Sequence, residues 1–486
     1  MNRALMILGV AGFLFTSCQK DQVPQDNQSN KVNTTDNPKL EVKDFVYNAM
    51  NDIYLYKADV AELADDYFTS ASAKTDYLNT FDSPEALFDA VTASSDRFSF
   101  ITDDYNSLED SFAGVSGSTG MKYGLGRITG TNDVFAYLEY ILPGTSAEEA
   151  GLTRGTVFTE VNGQQLTMSN YSDLLSADNF TINIGKIENG VIKMTDQTVT
   201  LEDIHYTSNP VYIAKTLNVD GTKVGYLMYN SFVGDFDDEL NAAFAQFQAD
   251  GVTDLILDLR YNGGGSVESA IDLASMITGQ FDGKVFMKEQ WNEKYQQHFE
   301  SVSPESLVNK FDSKIRTGET INSLNLSKVY IITTAATASA SELVINGLAP
   351  YINVVQVGET STGKFQASVT IYDSSDYSRE KANENHTYAL QPLVFKSVNS
   401  AGKTDYGNGL DPNVVFPEDL NDLGTLGDPS EPLLQAAIND ILGKTQKSPS
   451  EAAKKAAANF RNIGNSEMFE PDYQRMYIDK IPAVLQ

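Results

Sequence analysis

Along this chain the spacing of apolar residues changes character three times, and each change marks a different architecture. From Leu40 onward, Val42, Phe45, Val46, Met50, Ile53 and Tyr54 recur three and four positions apart, the period of a helix with one buried face. Ser83-Pro84-Glu85 opens another helix, with serine as cap and proline at the first helical position. These patterns predict a helical unit over 39–113. From Gly114 to about Thr207 the apolar runs shorten to strands at Arg127 to Thr129, Ala136 to Ile141 and Val157 to Val161. Turns at Pro143-Gly144-Thr145 and Asn162-Gly163 separate them, with a small helix at Ser146 to Ala150. Over 208–443, strands alternate with helices: Val224 to Tyr229, a helix from Asp235 to Asp250, then Asp254 to Arg260 and Val329 to Ile332. That alternation predicts an α/β unit with a parallel sheet. A helix over Glu431 to Leu442 ends it. Residues 444–486 are polar and Ala/Lys-rich, then aromatic at Phe469, Tyr473 and Tyr477; they read as a tail or extension that packs on the core or frames the cleft, without an assigned mechanism.

The densest chemistry lies between Lys328 and Lys364. The strand Val329–Ile332 is followed by the small-residue run Thr333 to Glu342, a helical segment from Leu343 to Ala349, and the β-branched run Asn353 to Val357. A helix of about ten residues carries the chain ~15 Å from Ser339, and a returning strand of about five residues recovers that distance. With a right-handed crossover between parallel neighbours, Ser339 and Lys364 meet at the carboxyl ends of adjacent strands, where open α/β sheets place ligands. A serine beside a lysine suggests a nucleophile and its base. Three other readings stand beside this one. Ser339-x-x-Glu342 before Leu343 is also a capping box. Gly358-x-x-x-x-Gly363-Lys364 approaches a phosphate loop, although Phe365 offers magnesium no hydroxyl and Gln366 to Ile371 alternates like a strand. Lys364 is also readable as an ordinary solvated lysine.

At 486 residues the chain is long enough for two to four units. Its formal net charge of −31 argues against nucleic-acid and anionic-membrane partners and is otherwise read as an acidic, soluble surface. Arg3, the apolar stretch Leu5 to Phe15 and the small residues Thr16-Ser17 form a signal segment over 1–17. It is too short for a comfortable transmembrane span. Cys18, the single cysteine, excludes an internal disulfide. Its position resembles the lipobox of bacterial lipoproteins, in which this cysteine is acylated, although Phe15 departs from the usual aliphatic residue. The alternative is a plain signal peptide with Cys18 unmodified. Residues 18–38 read as a disordered tether. Export with an anchor places the protein in a bacterial cell envelope, periplasmic or at the cell surface, where no ATP pool supports a phosphate loop.

Tyr261-Asn262-Gly263-Gly264-Gly265 follows the strand at Asp254. Consecutive glycines at a strand–helix junction let backbone amides approach a ligand; the alternative is a tight turn. The spacing is wrong for a dinucleotide site. Over 114–207 the order of pieces, with Gly124-Leu125-Gly126, Pro-Gly-Thr-Ser-Ala-x-x-Ala-Gly-Leu and Val-Asn-Gly, resembles a PDZ domain. In that family a peptide adds a strand beside the Gly-Leu-Gly loop, whose amides receive its carboxylate. A PDZ domain serving as a rigid spacer or lid is the alternative. Asp-Leu-Arg-x-Asn-Gly-Gly-Gly, Thr-Ala-Ser-Ala-Ser-Glu and Gly-Glu-Thr-x-x-Gly-Lys resemble the three signatures of the carboxy-terminal processing, or tail-specific, serine peptidases. Gly407 to Pro412 resembles that family's closing motif. The resemblance implies a multidomain α/β protein with an N-terminal helical domain, a PDZ domain and a ClpP/crotonase-like peptidase core. It implies Ser339 as nucleophile, Lys364 as base, and an oxyanion hole at the amide of Ala340 and the glycine loop, Gly264 or Gly265. Many members carry glutamine four residues after the lysine; this chain has Ser368 there and Gln366 two residues after the lysine, so the third catalytic role stays open between them.

A lysine base must be neutral near working pH. Moving it from about 10.4 to roughly 7–8 corresponds to ~3–5 kcal/mol, so Lys364 is expected in a desolvating cleft. His205, His298 and His386 lie outside the signatures, and no metal-ligand pattern or cofactor motif is present in the sequence. The expected function is cleavage of exported polypeptides with accessible carboxy-terminal tails. The alternative is a catalytically silent peptide-binding lipoprotein.

Overall fold

Alternation within the strands at 222–229, 254–258 and 328–333 decides the layering. Leu227, Leu255, Leu257, Val329 and Ile331 enter one buried cluster, while Tyr226, Met228, Ile256, Tyr330 and Ile332 enter another on the opposite face. A sheet buried on both faces is what such β-branched, charge-poor runs require. The computed structural model describes residues 38–445, 451–471, 473–479 and 481–482; the expected signal segment, Cys18 and the tether up to residue 37 lie outside them.

The central sheet has six strands in the order Val211–Val219, Thr222–Tyr229, Asp254–Asp258, Lys328–Thr333, Asn353–Gly358 and Val414–Val415. The first pair is antiparallel and every later neighbour is parallel. Helices Asp237–Asp250, Val267–Thr278 and Ala340–Leu348 supply the first cluster, and Pro432–Ile441 covers the other face. Helix Val267–Thr278 starts at Ser266, whose hydroxyl accepts from Ser269 N.

The amino-terminal helices do not build a core of their own. Leu40, Phe45, Val46, Met50, Leu87 and Phe88 belong to the same cluster as the central sheet, so the expected 39–113 unit is packed into the core. Ser83 caps Pro84–Ala90 by accepting from Ala86 N, as the sequence predicts.

Residues 121–201 form a β-rich unit with a core of Leu125, Ala136, Leu138, Phe158, Ile182 and Leu201. Here one expectation is corrected. Gly124-Leu125-Gly126 is not a loop ahead of a strand but the interior of the strand Met121–Ile128. It pairs with Val134–Ile141 on one side and Phe460–Asn465 on the other. The glycines are there for packing: a Cβ on Gly124 would stand 2.2 Å from the Tyr137 ring, and one on Gly126 2.3 Å from the Phe135 ring.

A second six-stranded sheet runs Gly265–Ser266, Met476–Tyr477, Gln366–Ser368, Leu393–Asn399, Val285–Trp291 and Val308–Lys310. Its second strand comes from the closing segment of the chain.

Candidate active site

Two loops at the carboxyl ends of neighbouring central strands are pinned to each other by short polar side chains. Thr334 Oγ1 donates to Arg260 O. Thr337 Oγ1 donates to Leu259 O at 2.8 Å, and Ser341 Oγ donates to Asn262 O at 3.1 Å. Asn262 in turn holds the glycine loop, accepting from Gly264 N at 2.8 Å and donating to Tyr229 O at 2.8 Å. Arg260, wholly buried, pairs with Asp258 at 2.8 Å and Glu431 at 2.8 Å. The Asp-Leu-Arg-x-Asn-Gly-Gly-Gly signature is therefore a brace, with charges satisfied internally as burial demands.

Ser339 sits at the turn from strand Lys328–Thr333 into helix Ala340–Leu348 with φ 65° and ψ −114°. Such a conformation costs a non-glycine residue about 1–3 kcal/mol and persists where its surroundings enforce it. A sharp strand-to-helix turn of this kind presents a nucleophilic hydroxyl. Ser339 and Glu342 are arranged as the expected capping box. The well-formed half is Glu342 Oε2 accepting from Ser339 N at 2.8 Å; the buried Ser339 hydroxyl itself has no hydrogen-bond partner. Capping thus explains Glu342 and leaves the hydroxyl unexplained.

Glu342 does more than cap. Its Oε2 also accepts from Lys364 N at 2.8 Å, and its Oε1 accepts from Gly363 N at 2.7 Å and from Ser361 Oγ at 2.5 Å. One carboxylate oxygen therefore holds the backbones of Ser339 and Lys364 together. The phosphate-loop alternative fails on the same bonds, because the loop amides already face a carboxylate. Gln366–Ser368 is also a strand, where that alternative needs a helix. Burial pushes the Glu342 carboxyl upward, and its four donors oppose that shift.

Lys364 is fully buried, which removes the solvated-lysine reading. Its ammonium lies 5.0 Å from the centre of the Phe98 ring and donates to Gln474 O at 2.8 Å. Burial, helped by the Arg475 guanidinium, holds it well below the ordinary lysine range against the opposing pull of Asp96 and Glu342. A depressed ammonium gives the neutral amine that a general base requires. Arg97 closes the neighbourhood by donating to Gly363 O at 3.1 Å and Gly407 O at 3.3 Å.

The remaining predicted residues are placed as follows. Ala340 opens the helix Ala340–Leu348 directly after Ser339. Gly264 and Gly265 have φ of 115° and 136°, open only to glycine, and Gly265 N donates to Arg475 O at 2.5 Å. Gln366 donates to Tyr56 Oη at 2.6 Å and Ser368 donates to Met476 O at 3.3 Å. Neither bonds the Lys364 amine, which Gln474 O receives instead. His386 lies beside Asp373 at 3.0 Å and makes no hydrogen bond to the Ser339 hydroxyl. Sequence reasoning saw Glu342 only as a cap and missed Asp96, Arg97 and Phe98. The tail, expected from its aromatics to pack on the core or frame the cleft but given no mechanism, brings Gln474 O to Lys364 and Tyr477 beside Ser368.

Two family models match the chain. The peptidase family S41 model covers residues 223–414 and the peptidase S41 N-terminal domain covers residues 41–100; together they take in slightly over half of the chain. A CtpA-like serine protease of Staphylococcus aureus is 22% identical over 386 residues, covering 79% of this chain and 66% of that protein. The chain thus spans just under two thirds of that relative's length. A carboxyl-terminal-processing protease of Picosynechococcus is 25% identical over 374 residues, 74% of this chain and 80% of the relative. A crystal structure of an S41 protease from Bacteroides fragilis superposes with a TM-score of 0.64 at 28% identity, covering 83% of this chain and 98% of that one. With both models falling on the units that carry Lys364, Ser339 and the Phe98 wall, this chain belongs to peptidase family S41, the serine-type peptidases that include the carboxyl-terminal-processing proteases.

Proposed function

We propose that the protein is a serine endopeptidase in which Ser339 is the nucleophile and Lys364 its base, acting on exported polypeptides with unstructured carboxy-terminal tails. One observation carries the reading: a single Glu342 oxygen holds Ser339 N and Lys364 N, each at 2.8 Å, beside a strained, unpartnered serine hydroxyl. Neutral Lys364 takes the Ser339 proton as the oxygen attacks the scissile carbonyl. The oxyanion forms against the amides of Ala340 and Gly265, where losing one donor typically costs about 3–4 kcal/mol. Lys364 then passes its proton to the leaving amine, and water resolves the acyl-enzyme by the reverse route. Gln366 and Ser368 support the strand beside the base rather than the amine.

In the same reading the β-rich unit over 114–207 acts as a PDZ domain that selects or gates the tail by strand addition to Met121–Ile128, at the edge that Phe460–Asn465 occupies and must vacate. The core over 208–443 is ClpP/crotonase-like, and acylated Cys18 anchors the protein in the cell envelope. Ser339→Ala and Lys364→Ala should each abolish cleavage of a carboxy-terminally tagged unfolded protein while the fold persists. A catalytically silent peptide-binding lipoprotein would neither label at Ser339 with a fluorophosphonate nor turn over substrate, and that outcome would replace this reading.

A further inference from the structure

Two late strands of the chain lie beside the two glycine-bearing stretches. Phe460–Asn465 adds antiparallel to Met121–Ile128. It is secured by Ser466 Oγ, which accepts from Tyr123 N at 3.1 Å, and by the Lys122–Glu467 pair at 2.8 Å. Met476–Tyr477 then lies between Gly265–Ser266 and Gln366–Ser368, parallel to both. The chain reaches the catalytic residues just before this strand. Gly265 N donates to Arg475 O and Lys364 Nζ donates to Gln474 O. A Cβ built on Gly264 would meet Arg475 O at 2.2 Å and Ser339 Cβ at 2.7 Å, so that carbonyl and the carbon bearing the nucleophile border the same small space.

We propose that residues 474–477 occupy the place of a bound polypeptide substrate, with the Arg475 carbonyl where the oxyanion would form, so that the chain is its own competing ligand. This rests on the assignment of Ser339 and Lys364 as nucleophile and base. A foreign peptide enters as an extended strand only after this one leaves. The geometry extends to the side chain of the residue preceding the attacked bond. The Arg475 guanidinium stacks 3.9 Å from the centre of the Phe100 ring, and Nη1 donates to Phe98 O at 3.3 Å. Aromatic faces with a carbonyl acceptor select a cationic residue there. The strand is clamped beyond the site as well: Tyr477 stacks on Phe112 with centroids 4.0 Å apart, and Asp479 meets Arg316 at 3.1 Å and Ser266 Oγ at 3.2 Å. A tethered ligand of this kind acts at an effective concentration on the order of millimolar, which a free substrate must exceed unless the clamp opens.

The test uses the full chain and two variants, Tyr477→Ala and Asp479→Lys, that loosen the clamp from different sides and leave the dyad alone. Combined, they should raise fluorophosphonate labelling of Ser339 by about tenfold, the scale of one aromatic contact and one ion pair, with each alone giving part of the gain. In a Ser339→Ala background, a fluorescein-labelled decapeptide with the sequence of residues 473–482 should bind the loosened chain about tenfold more tightly than the intact one. The same peptide with its arginine replaced by alanine should bind more weakly. Unchanged labelling and unchanged peptide affinity in all loosened chains would overturn self-occupancy, while labelling itself would leave the peptidase reading standing. Tighter peptide binding without labelling of Ser339 in any form would keep the occupancy and remove the dyad.

Discussion

Gly263-Gly264-Gly265 and Gly124-Leu125-Gly126 look alike in the sequence and answer to different physics. At Gly264 and Gly265 the backbone has φ of 115° and 136°. An added Cβ would meet main-chain oxygens of Arg475 and Phe232, each at 2.2 Å. Conformation and close backbone approach both demand glycine there. Gly124 and Gly126 lie in an ordinary strand, and what excludes a side chain is the pair of rings, Tyr137 and Phe135, lying over them. The first stretch is shaped to let the Arg475 carbonyl near Ser339; the second is shaped by its own core. Both are nevertheless covered by strands of the same closing segment, Met476–Tyr477 and Phe460–Asn465. A glycine run signals a close approach without saying whether backbone or side chain is approaching.

The largest effects belong on the catalytic side of that comparison. Ser339→Ala and Lys364→Ala should each lower kcat/KM by about 10⁴-fold or more, since members of a catalytic unit fail together; peptide turnover measures this. Gly264→Ala, whose methyl would clash with both the Arg475 carbonyl and Ser339 Cβ, should cost about 10²–10³-fold, comparable to losing an oxyanion donor. Glu342→Gln replaces an acceptor of four hydrogen bonds with a group that must turn donors toward donors, and should lower activity by about tenfold or more. It also separates two roles. The Glu342 charge raises the Lys364 ammonium, so its removal should move the acid limb of the pH–rate profile to lower pH; a purely structural loss would leave the limb in place. On the other side, Gly124→Ala should destabilise the β-rich unit by roughly 1–3 kcal/mol through overpacking against Tyr137. It should leave Ser339 labelling intact, as thermal melts paired with labelling would reveal.

How much was legible follows from what each interaction needs. The parallel strands at 254–258 and 328–333 and the approach of residues 339 and 364 follow from period and rise, which are local quantities. Glu342 was visible as a cap because its partner is three residues away; its bonds to Gly363 and Lys364 are 21 and 22 residues distant. Lys364 meets Gln474 across 110 residues, and Arg97 reaches Gly363 across 266. No periodicity encodes such pairs. Alternation put Lys364, Gln366 and Ser368 on one face of a strand, but it could not name what lies across that face, which is Gln474 for the first, Tyr56 for the second and Met476 for the third.

The central claim is that a neutral, buried lysine activates Ser339. Its most direct test is the pH dependence of fluorophosphonate labelling in the full chain carrying Tyr477→Ala and Asp479→Lys, with and without Lys364→Met. The folded-state ammonium is depressed, so the amine is neutral above that lowered pKa and becomes charged as pH falls through it. The account predicts labelling at Ser339 that is present at neutral pH, disappears on acidification along a single ionisation, and is abolished by Lys364→Met. Labelling of the Lys364→Met chain at an undiminished rate would contradict it.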